Sequence, residues 1–237
     1  MIYEAVLFDM DGVVIDTRQS VIDFWLDVAQ TYSIKLTQSD FDQHIHGCTA
    51  KYTLNIVFPF LTANDRRLVI EKLLEYEANL SYEPVAGTPD LLRALHAHNV
   101  PTALVTSGDR GKVATVFNQL DLNGLFTTKV TVEDVRHGKP DPECYLQAAQ
   151  ILQKPPQKCI VFEDAVSGVK AATGAGALCI GVQQEKMARQ LINEGAWHVV
   201  PNLCKVQLRV ATNGNSSPLV LNINGDRELA LKRKSAI

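Results

Sequence analysis

The sequence predicts an α/β protein in which helices cover both faces of a parallel sheet and a helical segment interrupts the chain early. Three observations lead there. Short apolar runs, of the kind buried on both sides of a parallel sheet, recur at residues 5–8, 102–105, 159–162 and 178–182. From residue 88 onward they alternate with stretches of helical periodicity, the pattern of crossover connections. Between residues 17 and 83 no such run occurs, and apolar positions follow helical spacing. The expected core is thus a doubly wound, Rossmann-like sheet made of residues 1–16 and 84–212. Residues 17–83 form an inserted helical cap and residues 213–237 a C-terminal β-hairpin extension.

The opening strand sets the frame. It ends in Asp9-Met10-Asp11-Gly12, and two acids separated by one residue at a strand end can point into one crevice. Asp16 or Thr17 can cap a helix through residues 20–29, and further helical pattern covers 41–45, 53–58 and 63–80, punctuated by Gly47 and Pro59. Pro84 to Gly87 mark the return to the core. Thr88 can cap the next helix, with Pro89 at its first position and Leu91, Leu92 and Leu95 as its buried stripe. Beyond the runs already named, strands are expected at 129–132 and 198–199, and helices at 112–120, 142–152, 166–175 and 186–193. The tail departs from this rhythm. Two alternating segments, 219–223 and 228–232, flank Asn224-Gly225, the signature of a hairpin with a primed turn, behind a linker at 213–218. Such a hairpin can cover a sheet edge or pair with a second copy of the chain.

With 237 residues, 46% hydrophobic and 21% charged, the chain has an ordinary globular composition and can bury a sizeable core. A net charge of −3 argues against nucleic acid or an anionic membrane as partner, and Lys232-Arg233-Lys234 reads as a solvated end. No apolar run is long enough to span a bilayer, and Met1 leads directly into the first strand, so a cytoplasmic location is expected. Cys48, Cys144, Cys159, Cys179 and Cys204 are scattered singly, which suits free thiols in a reducing compartment. A monomer or homodimer is expected.

Four polar signals follow apolar strands. Asp9 and Asp11 repel unless a cation or a shared proton separates them, and Mg2+ is the hard ion that oxygen ligands and phosphate select. Thr106-Ser107-Gly108 can present a hydroxyl and backbone N–H groups to a phosphate. Lys139, in the proline-stiffened turn Gly138-Lys139-Pro140, can offer its ammonium to a phosphate oxygen and a carboxylate together. Glu163 and Asp164 end an apolar strand, where two acids near other carboxylates are costly without a cation. Each signal alone also fits a bland role: a turn, a Ser-Gly loop, an exposed lysine, a helix cap. His137 receives no role.

Together and in this order, Asp9-x-Asp11, Thr106, Lys139 and Glu163-Asp164 resemble the four motifs of the haloacid dehalogenase superfamily. The resemblance is to the subgroup with a helical cap inserted after the first motif, that of β-phosphoglucomutase and the small sugar phosphatases. It covers residues 2–202 and leaves out the tail hairpin. It implies that Asp9 attacks phosphorus to give an aspartyl-phosphate, and that Asp11 protonates the leaving oxygen and later activates water. It also implies Mg2+ held by Asp9, the Asp11 carbonyl, Glu163 and Asp164, with Thr106, Ser107, Gly108 and Lys139 on the phosphate oxygens.

The same resemblance separates hydrolysis from phosphate transfer between sugar positions. Mutase caps follow the residue matching Gly47 with a small residue, a hydroxyl and an arginine for a second phosphate. Here that arginine position holds Ala50, and Lys51, one place on, is a point charge rather than a fork. The mutase histidine of the first cap helix is Val21 here, and a Lys-Asn pair after the second motif is Asp109-Arg110. Trp25 matches a mutase tryptophan but equally suits an apolar helix stripe. Three departures against one match favour a phosphatase for a small sugar or polyol phosphate. Lys35, His44, His46 and Lys51 are the cap side chains offered as candidates to reach the site.

Overall fold

A computed structural model describes residues 1–210 and 219–232. The chain opens with two short strands, β1 (Ile2–Tyr3) and β2 (Ala5–Phe8), and then enters a helical segment. That segment holds α1 (Arg18–Thr31), α2 (Gln38–Asp40) running into a π-helical turn at Phe41–Ile45, α3 (Ala50–Ile56) and α4 (Ala63–Ala78). The return carries α5 (Thr88–Ala97), β3 (Thr102–Val105), α6 (Arg110–Gln119), β4 (Thr128–Val130) and α7 (Glu143–Ile151). There follow β5 (Cys159–Glu163), α8 (Val166–Gly174), β6 (Leu178–Val182), α9 (Glu185–Asn193) and β7 (His198–Val200), then β8 (Val206–Val210), β9 (Leu219–Ile223) and β10 (Arg227–Leu231).

The main sheet has six parallel strands in the order β4-β3-β2-β5-β6-β7. Both of its faces are buried, as the continuous apolar runs require. Val6, Phe8, Leu104, Ile160, Phe162 and Ile180 pack to one side with Leu92 and Leu95 of α5 and Val116 and Phe117 of α6. Their neighbours Ala5, Leu7, Ala103, Val105, Val161 and Cys179 pack to the other, against Tyr145 and Ala148 of α7 and Val169 and Ala172 of α8. Strand order reverses at β2, with β3 on one side and β5 on the other, and ligands of open α/β sheets bind beyond the carboxyl ends at such a point.

The helical segment has an apolar cluster of its own, in which Trp25 stacks on Phe58 and meets Phe24 edge-on. Its entry and exit strands run side by side: Ile15 bridges Pro84, Asp16 N–H donates to Glu83 at 2.9 Å and Val85 N–H to Val14 at 3.0 Å.

The hairpin is no appendage. β10, β9 and β8 form antiparallel ladders, β1 joins the far side of β10 in parallel, and the four make a second sheet in the order β1-β10-β9-β8. Leu219, Leu221, Ile223, Leu229 and Leu231 are buried in the same cluster as Phe8 and Leu92. The expected primed turn is present, with Asn224 at φ 57° and Gly225 at φ 86°, and Asp226 adds a third residue before the ladder begins at Ile223–Arg227. The expected linker at 213–218, like Arg233 and Lys234, lies outside the described residues.

Two expected caps serve elsewhere. Thr88 is already helical behind Gly87, and its hydroxyl donates to the Val13 carbonyl at 2.8 Å, tying α5 to the loop after β2. Thr17 stands at the start of α1 but makes no capping bond; its hydroxyl goes to Asp11. The expected free thiols are free, with Cys144, Cys159 and Cys179 buried. Among the described residues no helix is long and apolar enough to cross a membrane.

Candidate active site

The carboxyl ends of β3, β2 and β5, three adjacent strands, bring Thr106, Asp9 and Glu163 to one rim. Carboxylate oxygens of Asp9, Glu163 and Asp164 lie within 4.8 Å of one another, and all three residues are buried. Lys139, the third signal, arrives from the loop before α7. Its ammonium donates to Asp9 Oδ1 and to Glu163 Oε1, each at 2.6 Å, and to the Val105 carbonyl at 3.2 Å. Tyr145 Oη donates to the same Glu163 oxygen.

Burial pushes Asp9 up to about 7 despite the Lys139 ammonium beside it. Burial, with Asp9 and Glu163 adding repulsion, raises Asp164 well above the usual carboxylate range. Burial alone would weaken the Lys139 ammonium, but Asp9 and Glu163 outweigh it and hold it protonated. Three buried acids with one lysine among them are short of positive charge. A divalent cation with a preference for oxygen ligands fits that deficit.

Two glycines make the crowding possible. A Cβ on Gly12, whose φ is +75°, would sit 2.3 Å from Asp164 Oδ2. A Cβ on Gly168 would lie 2.0–2.1 Å from the carboxyl atoms of Glu163, which explains the glycine in the first turn of α8.

Asp11 faces another way. Its carboxylate lies outside the three-acid cluster, accepting from Thr17 Oγ1 at 2.6 Å and from Lys112 Nζ at 2.8 and 3.0 Å. The metal role expected of Asp11 rests on its backbone carbonyl and not on this carboxylate. Thr106 is buried, and its Oγ1 accepts from Gly108 N–H at 3.0 Å, so that N–H, one of the expected phosphate donors, is engaged locally while the Thr106 hydroxyl keeps its proton to donate. The Ser107 hydroxyl donates across to the Gly47 carbonyl of the cap at 2.8 Å, and Ser167 donates to the His46 carbonyl at 2.9 Å.

A cavity of about 400 Å³ opens between this rim and the cap. Its polar lining includes Arg18, Ser20, His46, Thr49 and Lys51, and Phe24, Trp25, Ile70 and Leu73 give it an apolar wall. Trp25 therefore belongs both to the cap's core and to the cavity. Of the cap candidates, His46 and Lys51 line the cavity; Lys35 and His44 do not, and His44 turns to Tyr52 at 3.3 Å. Burial, with Arg18 nearby, pushes His46 down to about 4, so its ring is neutral, and its Nε2 has no partner among the described residues.

Sequence reasoning missed Arg18, 3.7 Å from Asp164, and Lys112 with its second partner Glu77 at 2.8 Å. For Lys112 one local signal exists: Asp109 caps α6 by accepting from Lys112 N–H at 2.8 Å, which fixes where that residue stands. Asp109 and Arg110, read as departures from a sugar-binding pair, act as that cap and as a surface partner of Asp134.

A family model for haloacid dehalogenase-like hydrolases matches residues 3–176. The chain belongs to this family. Among the similar proteins is a phosphorylated carbohydrates phosphatase of Thermotoga maritima, 34% identical over 73% of this chain and 82% of that protein. Another is 2-deoxyglucose-6-phosphate phosphatase 1 of Saccharomyces cerevisiae, 29% identical over 92% of this chain and 94% of that one. The β-phosphoglucomutase of Clostridium difficile superposes with a TM-score of 0.71 at 25% identity, covering 84% of this chain and 91% of that chain. This hydrolase is thus similar to proteins named for both reactions.

Proposed function

We propose that the chain is an Mg2+-dependent phosphomonoester hydrolase for a small sugar or polyol phosphate, working through an aspartyl-phosphate. The reading rests on the convergence of Asp9, Glu163, Asp164 and Lys139 at the strand-order reversal. Asp9 attacks phosphorus while the bond to the leaving oxygen breaks and Asp11 gives that oxygen a proton. Asp11 then takes a proton from water as the water displaces Asp9. Lys139, Thr106 and the backbone N–H groups of Ser107 and Gly108 hold phosphoryl oxygens, so the work is chiefly positioning and charge neutralisation. Asp9, Asp164, Glu163 and the Asp11 carbonyl would hold Mg2+, which screens the anionic nucleophile from the anionic phosphate.

Residues 17–83 act in this reading as the cap that closes over the substrate. Hydrolysis is favoured over phosphate transfer because two of the three departures from the mutase pattern, Val21 and Ala50, line the cavity without a charge. The phosphatases named among the relatives support the same choice.

The test is release of inorganic phosphate from a panel of sugar and polyol phosphates, with and without Mg2+. Turnover that EDTA and Asp9→Asn both abolish is expected. Absence of turnover, or turnover that survives Asp9→Asn, refutes the reading. Conversion of β-glucose 1-phosphate to glucose 6-phosphate faster than phosphate appears would replace hydrolysis with the mutase reaction.

A further inference from the structure

Among the described residues, Lys112 is the one buried lysine that the reaction as written does not use. Its Nζ meets three carboxylate oxygens: Asp11 Oδ1 at 2.8 Å, Asp11 Oδ2 at 3.0 Å and Glu77 Oε1 at 2.8 Å. An ammonium has three N–H donors, so these contacts use its whole bonding capacity. The three residues come from three separate elements: the loop after β2, the last turn of the cap helix α4, and the first turn of α6. The side chain of Lys112 is 6% exposed, against 26% for Asp11 and 16% for Glu77.

This placement runs against local preference. A cation in the first turn of a helix faces the positive end of the helix dipole, and burying it costs solvation. Both are offset only by the two acids. The stem is held as well: a Cβ on Gly108 would sit 3.2 Å from Lys112 Cδ, so the glycine leaves the channel through which the stem passes. With Thr17 on one oxygen and Lys112 on both, the Asp11 carboxylate is fixed in direction from two sides.

We propose that Lys112 is a positioning residue that orients Asp11 and ties that orientation to the seating of the cap through Glu77. The inference rests on the acid–base role given to Asp11 above. Glu77 can share the ammonium only while α4 lies against α6. A cap that lifts away leaves Lys112 with Asp11 alone, so the hold on Asp11 changes with cap position. Lys112 acts through Asp11, both of whose carboxylate oxygens it holds.

The test compares Lys112→Met, Lys112→Arg, Glu77→Gln and the double variant Lys112→Met/Glu77→Gln, each first checked for wild-type circular dichroism and melting behaviour. On the best substrate of the panel, Lys112→Met is expected to lower kcat about 10- to 100-fold, the loss that misplacement of a reacting group brings, with KM changed less than about threefold. Lys112→Arg should recover part of the loss. Glu77→Gln should lower kcat less, and the double variant should be no worse than Lys112→Met, because Glu77 acts only through the lysine. Independently of turnover, amides of α4 in Lys112→Met should exchange with deuterium faster than in the wild type.

A Lys112→Met enzyme with wild-type kcat, losses that simply multiply in the double variant, or unchanged exchange in α4 each overturns the inference and leaves the phosphatase reading intact. A wild-type chain that hydrolyses nothing removes the phosphatase reading and the role of Asp11 with it. If Lys112→Met does not fold, Lys112→Arg with unchanged kcat together with Glu77→Gln with unchanged exchange overturns the inference.

Discussion

Replacing Lys139 with methionine keeps the length of the side chain and removes its charge. In the wild type the ammonium donates to Asp9 and Glu163 at 2.6 Å each, and its side chain is 1% exposed. Taking one partner from a buried ion pair leaves an uncompensated charge and costs about 3–5 kcal/mol. Each kcal/mol moves the melting temperature of a chain of this size by roughly 2–4 °C, so Lys139→Met should melt about 6–20 °C lower. The pH dependence in metal-free buffer carries a sign. Asp9 is raised to about 7 from 3.8, so the native state binds that proton more tightly than the unfolded chain. Its contribution is complete below about pH 4 and is lost as pH rises toward about 7. Without Lys139 the repulsion among the acids grows and this fall steepens, so the gap between variant and wild type should be widest near neutrality and narrow in acid. Thermal unfolding followed by circular dichroism across pH measures both quantities. Equal melting temperatures, or a gap that does not shrink in acid, would show that Lys139 is not the countercharge of this cluster.

Gly168→Ala should force the Glu163 carboxylate from its place, since the new methyl would overlap it at about 2.0 Å; the unfolding free energy from denaturant titration should fall by about 1–3 kcal/mol, and phosphate release should fall with it. Leu221→Ala, at a fully buried position of β9, should cost about 2–5 kcal/mol in urea unfolding, whereas a loosely attached hairpin would lose under about 0.5 kcal/mol. Native protein treated with a thiol reagent at pH 8 should react fast at Cys204, the exposed cysteine. Burial pushes Cys48 up to about 11 and Cys144 and Cys159 up to about 12, so those thiols should wait for denaturant.

The core was readable because its strands are buried on both faces, which turns each into an unbroken apolar run, and because an acid or hydroxyl at the end of such a run stands out. Asp9, Thr106, Glu163 and Asp164 stand out that way, and Lys139 by its place in a proline-stiffened turn. β1 and β8 were not. A two-residue strand such as β1 exists only by virtue of its partner, and β8, with Gln207 and Arg209 turned outward, carries half the apolar signal of a core strand. Thr17 and Thr88 show a different limit: both read as helix caps, and in both a tertiary acceptor, Asp11 or the Val13 carbonyl, took the hydroxyl instead. Glu77 and Arg18 left no trace, and Lys112 only the Asp109 cap beside it, because a charged residue on a helix looks solvated until the facing element is known. Gly168 looked like part of a helix entry, and only the Glu163 carboxylate above it shows why a side chain is excluded.

The parallel pairing of Ile2 with Ala230 means that β1 waits for a strand far along the chain. Until β9 and β10 emerge from the ribosome, β1 is an open edge and the apolar side of α5 and α6 lacks part of its cover. Closing so long a loop adds little to the equilibrium cost, which grows only as the logarithm of length, but it delays completion of the fold. The nascent chain therefore passes through a period in which it can stick to its neighbours. Stop codons or frameshifts falling just before β9 would hold it in that state permanently, with the catalytic rim already made and the molecule prone to precipitate.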